Sequence, residues 1–183
     1  MKFIKRIQVG NKMADLQRLS IEEMIAILGG TGCCYDVIAE LWSRIYGGYG
    51  QVSTPTASQI QQSFTDWMGK METEGGWGDE CKMAEDGDPT LAQFSFLRMW
   101  MEGQGFSCGS IVNGGSNGSY NFGIIPGEEN GYHAVIIEGA KFEGSDGHYY
   151  YNVSDPNNGG ASYSIREDEL MKSMSVSEKI DCR

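Results

Sequence analysis

Three side chains of this sequence have the types and placement needed for nucleophilic catalysis. Cys34 lies at the start of a segment with helical periodicity, and a helix N-terminus stabilises negative charge, which favours the thiolate form of a cysteine. His133 opens one apolar segment, and Asp155 follows the next one. A carboxylate that orients an imidazole, which activates a nucleophile, is the general logic of a catalytic triad. We therefore predict Cys34, His133 and Asp155 as catalytic residues, with Cys33 as the alternative nucleophile.

The segment that carries the two cysteines is predicted to be a central helix. Apolar side chains from Val37 to Ile45 recur with a helical period and place one apolar face toward a core. The glycines at 47 and 48 end this helix. Two further helices are predicted over residues 55–71 and 89–102, with an acidic, glycine-rich loop between them over residues 74–88.

After Gly105 the period of the apolar residues changes to that of strands, separated by glycine- and asparagine-rich turns. The predicted strands cover residues 106–112, 119–125, 132–141 and 148–153. A last helix or turn is predicted over residues 165–174. Helices first and an antiparallel sheet second indicate the α+β class.

The strand that begins with the candidate histidine and the strand that precedes the candidate aspartate are expected to form a hairpin. Residues 132–141 and 148–153 are joined by a turn from Gly144 to Gly147. In a hairpin, the start of the first strand lies beside the end of the second. We therefore expect His133 and Asp155 to be close neighbours.

These features resemble the papain-like cysteine peptidases, most closely the branch that processes bacteriocins. In that branch a cysteine caps a helix, a histidine opens a strand with the pattern His-x-Val-x-x-x-Gly, and Asp-Pro follows the next strand. The corresponding residues here are Cys34, His133–Gly139 and Asp155-Pro156. Over residues 31–174 the resemblance implies a papain-like fold, with N-terminal helices packed on a C-terminal antiparallel sheet, and a thiol hydrolase that cleaves a peptide or protein.

The choice between the two cysteines also depends on this resemblance. The segment Gly32-Cys33-Cys34-Tyr35 is similar to the Gly-Ser-Cys-Trp of papain relatives, which favours Cys34. The family also places an oxyanion-hole glutamine about six residues before the nucleophile, where this chain has Leu28. Loss of an oxyanion donor typically lowers the rate by ~10²–10³. Gln51 and Gln104 are candidate substitutes.

The first 30 residues have a separate pattern. Ser20 and Glu23 have the spacing of a helix capping box, and apolar residues follow at helical spacing up to the pair Gly29-Gly30. This segment resembles the double-glycine leader of bacteriocins and related peptides. An ordinary N-terminal helix that ends at the two glycines is the alternative.

The leader resemblance implies a domain organisation, a partner and a location. Cleavage after Gly30 would separate a leader, residues 1–30, from a peptidase domain, residues 31–183. The implied partner is the leader-cleaving peptidase domain of an ABC exporter, and the mature protein is expected to be secreted. A secreted toxin or bacteriocin-like binding protein on the same fold, and a transferase or amidase that uses the same triad, are alternatives.

Charge and cysteine spacing argue against several other functions. The chain has 14 basic and 25 acidic side chains, of which the first 30 residues hold five basic and three acidic. The remaining residues therefore carry nine basic and 22 acidic side chains, a net charge of −13. Residues 31–183 therefore lack the cationic face that a protein requires to bind nucleic acid. No segment is apolar for long enough to span a membrane. The five cysteines show no zinc-site spacing, so neither a metal nor a cofactor is predicted.

Overall fold

A computed structural model describes residues 33–49, 53–83, 87, 89–111, 118–127 and 131–180. The chain divides into two compact units, Met1–Thr31 and Gly32–Arg183, and all described residues belong to the second. The predicted leader, with its capping box and its cleavage site at Gly29 and Gly30, lies outside the described residues.

Within the described residues, three α-helices precede the sheet, as predicted. They are α1 (Cys33–Tyr46), α2 (Ala57–Gly75) and α3 (Phe94–Gly103). Helix α2 begins where it does because the Thr56 side chain accepts a hydrogen bond from the backbone N–H of Gln59, in a capping box. It ends at Gly76, whose φ of 69° lies in the left-handed region that glycine tolerates. None of the helices in the described ranges has the length and apolar character that a membrane crossing requires.

In the ranges that the structure covers, six strands form one sheet in which every neighbouring pair is antiparallel. They are β1 (Phe106–Gly109), β2 (Ser119–Pro126), β3 (Tyr132–Glu143), β4 (Tyr149–Asp155), β5 (Ala161–Arg166) and β6 (Lys172–Glu178). The order across the sheet is β1-β6-β2-β3-β4-β5. The predicted α+β class is confirmed.

The prediction of a last helix or turn over residues 165–174 is wrong for most of that range. Strand β5 continues to Arg166, a short 3-10 turn covers Glu167–Glu169, and β6 begins at Lys172. Strand β6 lies between β1 and β2, which precede it by about 50 residues or more along the chain. Its conformation is set by long-range pairing, which the local residue pattern did not reveal.

The two faces of the sheet have different surroundings. On β3, Ala134 and Ile136 belong to the main core, which also contains buried residues of all three helices. The alternating residues Val135 and Ile137 belong to a second, smaller apolar cluster with side chains of β4 and β5. Helix α1 packs on the first face of β3, and because the side chains of Cys33 and His133 are hydrogen-bonded, the start of the helix lies near the start of the strand.

An arginine on α1 ties this helix to the two strands of the hairpin. Arg44 donates to Glu40 at 2.8 Å, to Glu138 on β3 at 2.7 Å and to Ser154 on β4 at 3.3 Å. Ser154 also donates to Glu138 at 2.8 Å. Because Ser154 immediately precedes Asp155, the network fixes α1 relative to the strand that carries the candidate aspartate.

Replacing Arg44 by methionine is expected to lower the free energy of unfolding by about 1–2 kcal/mol. Methionine keeps most of the apolar stem but removes the donors to Glu138 and Ser154. Urea unfolding monitored by tryptophan fluorescence measures the change. Lys82→Met is the control, because it removes one positive charge from an exposed ion pair with Asp79. Equal stability of the Arg44 variant and the control would show that the network contributes no more than a surface pair.

Candidate active site

His133 and Asp155 are in direct contact at one end of the β3–β4 hairpin. Nε2 of His133 lies 2.8 Å from Oδ2 of Asp155, and the two side chains are 27% and 6% exposed. The pairing of Ile136 with Ser154 sets this register. The predicted proximity of His133 and Asp155 is therefore confirmed.

The carboxylate of Asp155 is held by the turn that follows it. Its Oδ1 accepts hydrogen bonds from the backbone N–H groups of Asn157 and Asn158, at 3.1 and 3.3 Å. The chain can turn back toward β5 because Gly159 and Gly160 adopt left-handed φ values of 63° and 78°. With Oδ1 fixed by the turn, Oδ2 is directed at the imidazole.

The other side of the imidazole faces Cys33. The side chains of Cys33 and His133 are hydrogen-bonded to each other. Since Nε2 of His133 faces Asp155, Nδ1 is the ring atom available to the sulfur. The backbone N–H of Ala134 also donates to the Cys33 sulfur. Cys33, His133 and Asp155 thus form a connected series of sulfur, imidazole and carboxylate.

The sequence-based choice of Cys34 as the nucleophile does not agree with this geometry. Both cysteines are buried in the main core, with Cys33 4% and Cys34 0% exposed, and the Cys34 thiol hydrogen-bonds to Cys33. Adjacent residues on a helix point about 100° apart, so only one of the two cysteines can face the imidazole. The structure places Cys33 in that position, the alternative that the sequence left open.

The electrostatics of the site favour a thiolate beside an imidazolium. The hydrogen bond from Cys34, together with smaller contributions from the His133 side chain and the Ala134 N–H, lowers the pKa of Cys33 to about 5, against the effect of burial. The hydrogen bond to Cys33 raises the pKa of His133 to about 9, again against burial, and Asp155 contributes in the same direction. At neutral pH the pair is therefore charged, the reactive state of a cysteine nucleophile.

A fourth residue, Asn157, joins the two halves of the site. Its side-chain Nδ2 donates to the backbone carbonyl of Cys33 at 3.2 Å, while its backbone N–H donates to Asp155. One turn therefore holds both the carboxylate and the start of the helix that carries the thiol. Sequence reasoning did not identify Asn157, because Asp-Pro-Asn-Asn-Gly-Gly indicates only a turn.

Replacing Asn157 by alanine is expected to slow alkylation of Cys33 by about three- to tenfold, as expected for loss of one hydrogen bond. The backbone N–H that caps Asp155 is retained, so the variant removes only the link to α1. Alkylation with iodoacetamide is stopped after timed intervals, and peptide mapping then gives the rate of alkylation of Cys33. Asn158→Ala is the matched control, because this neighbour contributes its backbone N–H to Asp155. Equal rates in both variants would exclude a positioning role for the Asn157 side chain.

Other residues singled out from the sequence have different surroundings where the structure describes them. Gln104 lines a surface groove between α2 and α3 with Gln59 and Trp100, and Gln51 lies outside the described residues. Cys81 and Cys108 are buried thiols, and burial raises the pKa of Cys108 to about 11. In the part of the chain that the structure describes, no three His, Cys, Asp or Glu side chains form a candidate metal site.

No protein-family model, curated protein or solved structure matches this chain.

Proposed function

We propose that this chain is a papain-like cysteine peptidase that cleaves a peptide or protein after export from the cell. The observation that carries the proposal is the series Cys33, His133 and Asp155, with an aspartate 2.8 Å from the imidazole and a thiol on its other side. The placement of this series supports the same conclusion, because the thiol begins a helix and the other two residues lie at one end of a hairpin. The resemblance to papain-like peptidases predicts this same distribution.

The proposed reaction uses each member of the series in turn. The Cys33 thiolate attacks the carbonyl carbon of the scissile peptide bond, and the electron pair of that double bond moves to the oxygen. The imidazolium of His133 gives its proton to the leaving nitrogen as the C–N bond breaks. A water molecule, deprotonated by His133, then attacks the thioester, and the acid product and the thiolate are released. Asp155 keeps the ring oriented and its charged form stable.

The negative charge on the oxygen needs a donor, and the family's glutamine is not at its usual position. The 14-residue helix α1 begins at Cys33, and a helix N-terminus carries a partial positive charge. In our proposal this end of α1 supplies the main stabilisation of the oxyanion. A slower reaction than that of relatives with the glutamine is the expected consequence.

Hydrolysis and labelling together test the proposal. Full-length protein and protein cleaved after Gly30 are incubated with a library of internally quenched peptides and, separately, with a peptidyl acyloxymethyl ketone. Cleavage of a peptide and a covalent adduct on Cys33 are expected. Absence of both, with the fold retained by circular dichroism, would reject the peptidase function.

Export is tested independently of activity. The proposal requires the segment that resembles a double-glycine leader to be removed by the peptidase domain of an ABC exporter. Mass spectrometry of the secreted protein is expected to give a mass that begins at Thr31. An N-terminus elsewhere, or a Gly30→Ala variant that is processed normally, would reject this part of the proposal.

A secreted binding protein without catalysis is the second candidate, favoured by the absence of the family glutamine. Cys33→Ala separates the two functions. A binding protein retains its effect on target cells with this substitution, whereas a peptidase loses it.

A further inference from the structure

An acidic side chain lies next to the proposed nucleophile on the same helix. Asp36 is in the first turn of α1, three residues after Cys33. Side chains three apart on a helix are neighbours, with Cβ atoms about 5–6 Å apart. Side chains on a helix also lean toward its N-terminus, which brings the carboxylate of Asp36 toward the thiol.

Asp36 differs from the other shielded carboxylates of the described ranges, because none of the ion pairs found there includes it. Six Asp or Glu side chains of the described residues are buried or half-buried. Five of them are paired with a basic side chain. The five are Glu40, Glu102, Glu138, Asp155 and Glu167. Asp36 forms no ion pair with any residue in the described ranges, although it is half-buried.

The charges around Asp36 make this position more unusual. Burial raises the pKa of Asp36, and the negative charge of Cys33 raises it further. The Cys33 thiolate and the carboxyl side chains of Asp36 and Asp155 lie at the site, and His133 is the one basic side chain paired there among the described residues. A half-buried charge beside like charges is unfavourable unless a cation joins it.

We propose that Asp36 binds a lysine or arginine side chain of the substrate, next to the scissile bond. The inference rests on the proposed peptidase function and names its substrate class: peptides with a basic residue at the cleavage site. The net charge of −13 on residues 31–183 acts in the same direction, because it attracts cationic peptides at long range. A positive helix N-terminus also favours an acid in the first turn, so the test must separate substrate binding from helix stabilisation.

Two thiol reagents of opposite charge test the effect of Asp36 on the electrostatic potential at Cys33, and this test does not require peptidase activity. Trimethylammonium-ethyl and sulfonato-ethyl methanethiosulfonate are compared as the ratio of their labelling rates at Cys33. In Asp36→Asn this ratio, cationic over anionic, is expected to fall about five- to tenfold. Any change in the intrinsic reactivity of the thiol affects both reagents and cancels in the ratio.

Glu143→Gln is the matched control. It removes the same charge from an exposed position at the far end of β3, about 30 Å along the strand from His133 and beyond the screening length at physiological salt. Its ratio is expected to equal that of the wild type. An unchanged ratio in Asp36→Asn, or an equal fall in Glu143→Gln, would overturn the proposal.

Peptide hydrolysis then tests the substrate class. Otherwise identical peptides carry arginine, citrulline or glutamate on either side of the scissile bond. Wild-type kcat/KM is expected to be highest for arginine on one side, and Asp36→Asn is expected to reduce the preference over citrulline about tenfold. Asp36→Glu, which keeps the charge, should retain most of the preference and shows that the site remains folded.

The outcomes distinguish the two proposals. If no peptide is cleaved, the peptidase function fails, while the labelling ratio still reports whether Asp36 attracts cations. If peptides are cleaved and Asp36→Asn keeps the wild-type preference for arginine, the peptidase function stands and the role of Asp36 is rejected.

Discussion

Replacing Cys33 by alanine is expected to lower kcat/KM for peptide hydrolysis by at least ~10³, because the nucleophile is removed. Replacing Cys34 by serine is expected to leave most of the activity. Cys34 is fully buried, and a serine hydroxyl keeps a donor to the Cys33 sulfur. Hydrolysis of an internally quenched peptide measures both effects.

The substitution of Cys34 by alanine gives a different expected result from the serine variant. Alanine removes the hydrogen bond that contributes most to the low pKa of Cys33. The pKa of Cys33 is therefore expected to rise in Cys34→Ala and to stay near about 5 in Cys34→Ser. Thiolate absorbance near 240 nm measures it directly. Full activity in Cys33→Ala together with inactivity in Cys34→Ser would restore the assignment made from the sequence.

Iodoacetamide labelling provides a second control on the same question. Cys81 and Cys108 are also buried thiols, and burial raises the pKa of both. A brief reaction at pH 6.5 is expected to modify Cys33 alone among the cysteines of the described residues. Peptide mapping that finds the label first on Cys34 would contradict the geometry.

The hairpin shows what could be predicted from the sequence. His133 and Asp155 are separated by a short stretch of chain with one glycine-rich turn, so local pairing rules were enough to bring them together. The choice between Cys33 and Cys34 was different. It depended on the rotation of α1 against the sheet, which is set by packing and by contacts such as those of Arg44 with Glu138. Neither feature is encoded in the two cysteines themselves.

Longer-range features were outside the reach of local patterns for the same reason. Strand β6 pairs with β1 and β2, far away in sequence, and Asn157 reaches Cys33 across 124 residues. That Asp36 forms no ion pair within the part of the chain that the structure describes also became visible only when the partners of the other carboxylates were known. Features formed within one element or one hairpin were predicted from the sequence. Features that depend on contacts between elements far apart in the sequence were not.

The charge on the proposed site explains why the histidine should control the pH dependence. Between pH about 5 and about 9, Cys33 is a thiolate and His133 an imidazolium. Below about 5 the thiolate takes up a proton, and above about 9 the imidazolium loses the proton needed by the leaving group. Hydrolysis is expected to show a broad maximum between these two values, which are apparent values of the coupled pair.

Replacing His133 by alanine is expected to remove this behaviour and nearly all hydrolysis. Loss of the imidazolium raises the pKa of Cys33 toward its usual ~8.5, so alkylation at pH 6.5 should fall roughly 10- to 100-fold. Hydrolysis should fall by a further factor of ~10² or more, because the general acid is absent. His148→Ala, which removes the chain's other, exposed histidine, should match the wild type in both measurements.

Replacing Asp155 by asparagine tests whether the aspartate charge helps to keep His133 protonated. Asparagine can keep a hydrogen bond to Nε2 of His133 but removes the negative charge that helps to raise the pKa of the ring. The alkaline limb of the profile should therefore move to lower pH, while the acid limb moves little because Asp155 is not among the groups that lower the pKa of Cys33. A profile in which the alkaline limb stays near 9 in this variant, or in which His133→Ala keeps the wild-type alkylation rate at pH 6.5, would show that the imidazole does not activate the thiol.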